Sequence, residues 1–169
     1  VGSEMCIRDS SQQTLVILNT VLSLCGSAIA TFILTGKLRG THRFNMVDVQ
    51  NATLAGGVAV GTMSNMLIGP IGALIVGVVS GAFCVFGYVF ISPFLTRTIG
   101  LHDTCGVANL HGYSGVISGL GSAIAVAAMS KEKYGDYYDH FFENHSSQSK
   151  AALTQVVGVV LTLFLSITT

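Results

Sequence analysis

DTCGVANLHGYSGVISG, residues 103–119, sets a carboxylate, a carboxamide and an imidazole at the head of a glycine-dotted apolar run. Asp103 and Asn109 precede His111, and beyond them Gly115 and Gly119 lie four apart, on one face of a helix. The run spans 106–129, close to the ~20 residues a helix needs to cross bilayer hydrocarbon. The question is what such a helix gains from a titratable ring.

Four more apolar segments frame it, at 14–35, 47–68, 71–95 and 151–169. Half of the 169 residues are hydrophobic and only 9% are charged, against about a quarter in an ordinary soluble domain. So much apolar side chain exceeds what a soluble core of this length encloses. The expected fold is therefore all-α: a polytopic membrane protein with about five transmembrane helices.

Several function classes drop out on composition. Formal net charge is zero and the basic residues form no long run, so no nucleic-acid footprint is present. Cys6, Cys25, Cys84 and Cys105 show no paired or metal-ligand spacing, so neither a metal nor another cofactor is expected. No HExxH, GxSxG or GxxxxGK occurs, which argues against an enzyme. The opening ten residues, VGSEMCIRDS, share no pattern with the rest and read as adaptor sequence, leaving 11–169 as the domain.

Glycine pairs recur inside the spans: Gly57 and Gly61, Gly77 and Gly81, Gly115 and Gly119. Small residues four apart let membrane helices approach closely. Pro70 and Pro93 read as a turn and a helix end. Lys37, Arg39 and Arg43 in the 36–44 loop, with Arg97 in the 93–105 loop, place both loops on the cytoplasmic side. Residues 131–150 then lie outside, where the Asn144 sequon is a candidate glycosylation site; a second sequon at Asn51 falls within a span.

Ionisable groups inside a membrane cost several kcal/mol when facing lipid, about 2.5–3.5 on insertion scales, so they face a cavity or each other. Asn45, Asp48 and Asn51 open the second segment, as Asp103, Asn109 and His111 open the fourth, and both sets fall toward the cytoplasmic mouth. Asp48 and Asn51, three apart, either bond a neighbouring helix or line an aqueous vestibule. Asp103 has a capping role open to it, with Thr104 as rival cap. His111, roughly 8 Å into its span, is either an interfacial side chain or one that handles a small protonatable solute, since imidazole both donates and accepts hydrogen bonds and titrates near neutral pH.

Two ordered motifs, QNATLAGGVAVGT at 50–62 and DTCGVANLHGYSG at 103–115, closely resemble the Rh glycoprotein branch of the ammonium transporter family. The resemblance covers most of 14–169. It implies eleven or twelve membrane helices per subunit, built from two inverted repeats, with this chain forming most of the second repeat and truncated at both ends. It implies a homotrimer, or a heterotrimer with related subunits, in the lipid bilayer of the plasma membrane. The solute it implies is ammonia/ammonium, with carbon dioxide as a further one. His111 then corresponds to one of two facing pore histidines, with Asn109 beside it in the pore lining. Family members usually carry Asp at the position of Asn45 and often His at that of Asp48, so the cytoplasmic-mouth set is rearranged. The alternative that the resemblance leaves open is a non-conducting structural subunit or an inactive fragment.

Overall fold

The computed structural model describes residues 10–41, 43–135, 138, 142 and 147–168. Residues 1–9 and Asn144 lie outside that set, and with them most of the adaptor expectation and the glycosylation site. The described residues fold as helices only. In chain order these are α1 (Ser10–Arg39), α2 (Met46–Ala52), α3 (Ala55–Val60), α4 (Gly69–Phe86), α5 (Ser92–Ile99), α6 (Tyr113–Ala127), α7 (Lys131–Tyr134) and α8 (Gln148–Thr168). Four stretches are long and apolar enough to cross a membrane: Gln13–Arg39, Gly69–Ile99, Ala108–Ala127 and Gln148–Ser166.

The expected span at 47–68 is not among these four, because its helix is broken. Between α2 and α3 the backbone tightens, with the Leu54 amide bonding the Asn51 carbonyl and the Gly57 amide the Leu54 carbonyl. A second tight turn, Gly61–Met63, follows α3. A break at membrane depth frees carbonyls that no water will meet, and other side chains must satisfy them. Here Ser27 donates to the Thr53 carbonyl at 2.5 Å, Ser80 to Ala55 at 2.9 Å and Ser23 to Gly56 at 2.7 Å. All three serines are fully buried, on α1 and α4. The broken segment is therefore threaded between two continuous helices that complete its hydrogen bonding.

Pro93 does not end the third span, as its sequence context suggested. The helix widens into a π-helical turn at Gly87–Ile91 and continues as α5 to Ile99. Proline removes one amide and its ring crowds the preceding turn; a wide turn just before it gives the ring room. Arg97 is consequently helical rather than part of a loop.

Helices α1 and α4 form the closest contact. A Cβ on Gly77 would run into the backbone of Ser23, one on Gly26 into that of Leu74, and one on Gly56 into Ser23 again. Gly81 sits 2.7 Å, measured from an added Cβ, from the Ser27 carbonyl oxygen. By contrast, a Cβ at Gly61 or Gly115 would meet nothing within 4 Å, while Gly57 and Gly119 abut only the side chains of Leu24 and Val159. At one end Asn19, buried on α1, donates to the carbonyls of Ser64 at 2.8 Å and Met66 at 3.1 Å, fixing the turn into α4. There Val60, Met63, Met66, Val126 and Met129 make a small core. Tyr134 closes over it by accepting the Leu67 amide at 2.9 Å, and burial raises its phenol pKa against the partial offset of that bond. Gln148 donates to carbonyls left open at the end of α6, including that of Val126 at 3.0 Å, which ties α8 to it.

Candidate functional site

His111 sits in a second π-helical turn, Ala108–Gly112, that leads into α6. The Asp103 carboxylate starts this helix: it accepts the Val107 amide at 2.9 Å and the Ala108 amide at 3.0 Å, the capping role open to it from sequence. Gly106, at φ 70°, turns the chain into the helix, and its carbonyl accepts the Tyr88 hydroxyl at 3.3 Å.

The wide turn sends Asn109 and His111 to different surroundings. Asn109 is fully buried; its Nδ2 donates to the Ser92 hydroxyl at 2.7 Å and approaches Asp103 at 3.5 Å. Its Oδ1 is buried without a partner, pressed against Gly87 where a Cβ would collide with it. His111 is exposed and lines a groove of about 420 Å³ with Thr62, Gly115, Gly119, Gln155 and Thr162. Asn109 is absent from that lining. Asn109 therefore holds the turn in place, and His111 is the group the turn presents.

Two hydroxyl pairs stiffen the wall behind the groove. Thr62 donates to the Ser118 carbonyl at 2.8 Å while its own amide bonds the Ser118 hydroxyl at 3.2 Å, joining the tight turn at Gly61–Met63 to α6. Ser80 bonds Ser114 at 2.9 Å, joining α4 to α6. Neither pair has a signature in the sequence, since Thr62 and Ser118 are 56 residues apart.

At the end of α1, the expected polar mouth resolves into structural roles. Asn45 caps α2, accepting the Val47 amide at 2.9 Å and the Asp48 amide at 3.3 Å. Asp48 is fully buried and gripped by Arg39 through two bonds, of 2.6 and 2.7 Å, and by the Thr35 hydroxyl at 2.6 Å. Of the two readings open for Asp48, bonding a neighbouring helix is the one observed. Asn51 donates back to the Val47 carbonyl at 3.0 Å within its own helix. None of the three joins His111. Among the described residues no group of three metal-ligating side chains assembles.

Buried serines on intersecting helices, a broken span and four membrane-length helices define an integral, multi-pass helical membrane protein, with one exposed imidazole at the head of a groove. Comparison with known proteins makes the family specific. The Ammonium Transporter Family matches over residues 1–169, and the chain belongs to that family. It is 41% identical over 150 residues to ammonium transporter Rh type B of Bos taurus, covering 86% of this chain and 33% of the relative. It is 46% identical over 121 residues to Rh type C of Oncorhynchus mykiss, covering 72% of this chain and 24% of that protein. Among solved structures it resembles Rh50 of Nitrosomonas europaea, of the Rhesus protein family of channels, with a TM-score of 0.67 and 36% identity over 94% of this chain and 40% of that one. A sensor Amt protein matches with the same TM-score of 0.67 at 25% identity, covering 92% of this chain and 34% of that one. The chain spans between 24 and 34% of the length of such curated relatives.

Proposed function

We propose that the chain contributes the His111 face of an Rh-type ammonium transporter, and that ammonia/ammonium is the solute that passes along it. The activity is transport rather than catalysis, exercised from the plasma membrane as a trimer with copies of itself or related subunits. The observation that carries the reading is the contrast at the Ala108–Gly112 turn: Asp103, Ser92 and the buried Asn109 are engaged in holding it, while His111 is left exposed toward the groove.

The physics suits a weak base. Carrying a full ammonium charge through an apolar passage costs desolvation that few contacts repay, whereas neutral ammonia crosses cheaply once a proton is left behind. An imidazole offers one donor and one acceptor to that neutral species and takes or returns a proton near physiological pH. The lack of a side chain at Gly115 keeps the passage beside it open.

The test uses the protein with its native flanking sequence in liposomes, following the internal pH change on an ammonium gradient. His111→Ala is expected to slow it by about five- to 150-fold, the loss of one or two hydrogen bonds to the solute, about 1–3 kcal/mol. Equal rates in variant and wild type would remove His111 from the pathway. Wild-type flux no greater than in empty liposomes would favour a non-conducting structural subunit.

A further inference from the structure

The membrane-spanning part of α1 ends at Arg39, and the chain reverses there rather than running on. Gly40 adopts φ 63°, the left-handed conformation of a helix stop. The Thr41 amide bonds back to the Gly36 carbonyl at 3.1 Å. The reversal returns Phe44 to the helix surface, where its ring meets Phe32 edge-on at 5.2 Å between centroids. Between loop and helix runs a groove of about 430 Å³ with Lys37, Thr41 and Arg43 along one part and Ile33, Gly36 and Phe44 along the rest.

Three observations converge on this groove. Its apolar part is continuous with lipid-length helix surface, Ile33 being 52% and Phe44 60% exposed. Its polar part holds cations at the end of a membrane span, the depth of phospholipid headgroups. The nearby carboxylate is already committed: Asp48 is fully buried and satisfied by Arg39 and Thr35, and Lys37 and Arg43 have no carboxylate partner among the described residues.

We propose that this groove binds an anionic membrane phospholipid, its phosphate held by Lys37 and Arg43 and its acyl chain laid along Ile33, Phe32 and Phe44. A soluble phosphate would leave the apolar part uncovered. A zwitterionic lipid brings no net negative charge to Lys37 and Arg43. The site is separate from the His111 groove and does not depend on conduction.

The experiment titrates the purified protein, with its native flanking sequence and in detergent, with fluorescent phosphatidylserine or phosphatidylcholine. Phosphatidylserine is expected to bind at least about tenfold more tightly. Each basic residue near an anionic headgroup accounts for about fivefold, so Lys37→Gln with Arg43→Gln should weaken phosphatidylserine about 25-fold, each single variant about fivefold. Lys37→Arg with Arg43→Lys should retain binding, and so should Lys133→Gln, whose side chain belongs to α7 and not to this groove. Millimolar inorganic phosphate should not displace the lipid. Equal affinity for the two lipids, no loss in the glutamine variants, or displacement by inorganic phosphate would each overturn the proposal.

Discussion

The α1–α4 contact and the His111 groove are built from the same residue types to opposite ends. At the first, Gly26 and Gly77 bring backbones so close that no Cβ fits, as Gly56 of α3 does against the same Ser23 backbone, and Ser23, Ser27 and Ser80 bury their hydroxyls on the carbonyls of the broken segment. At the second, Gly115 has no neighbour within reach of a Cβ, and His111 stays exposed. Glycine in one place removes distance and in the other leaves space. Without a hydrophobic drive between helices in lipid, close packing and hydrogen bonds are what hold a membrane bundle. The closed region therefore supplies rigidity, and the open one leaves exposed the groove along which we propose that the solute moves.

That difference can be broken most severely at its ionic end. Asp48→Ala would strand the partly buried Arg39, and losing one partner of a buried pair costs about 3–5 kcal/mol; thermal unfolding in detergent should register it. Combining Asp48→Ala with Arg39→Met should recover much of the loss, because no lone charge remains. If Asp48→Ala unfolds at the wild-type temperature, the clamp does not hold α1 to α2.

The glycines sharpen the comparison directly. Gly77→Ala should destabilise by about 1–3 kcal/mol, the usual cost of overpacking, since the obstacle is the Ser23 backbone. Gly61→Ala and Gly115→Ala should each stay within about 0.5 kcal/mol of wild type. Similar losses at all three positions would mean the two regions are packed alike.

Smaller still are the serines. Ser23→Ala, Ser27→Ala and Ser80→Ala should each cost about 0.6 kcal/mol, up to about 1.7, as interhelical hydrogen bonds in membranes do. Hydrogen exchange at the amides of 53–57 should rise in each variant. Unchanged exchange would show that the break is satisfied some other way.

Much of this architecture was legible in the sequence. The four membrane-length helices follow the apolar segments, and Pro70 falls in the first turn of α4 where a missing amide costs nothing. The ammonium transporter resemblance carried by 50–62 and 103–115 agrees with the family match. What sequence could not supply was pairing across the bundle. Arg39 and Asp48 lie on two helices joined by a loop, so helical periodicity says nothing of their meeting. The break at Thr53–Leu54 depends on serines from α1 and α4, and a segment viewed alone reads as one continuous span. The same limit explains Pro93, whose effect is absorbed by a wide turn that only backbone geometry reveals. Asn109 and His111 look like a pair two residues apart, yet the turn that carries them buries one and exposes the other.

The central claim is that solute moves along the open face and not through the closed one, and two thiols distinguish them. Cys84 lies fully buried at the α2–α4 contact, and Gly115→Cys would add a thiol beside His111. With Cys6, Cys25 and Cys105 replaced by serine, a small methanethiosulfonate reagent should block ammonium-driven pH change in liposomes containing Gly115→Cys and leave the protein with Cys84 alone unaffected. Gly115→Cys that is labelled, by mass, yet conducts at its untreated rate would contradict the account.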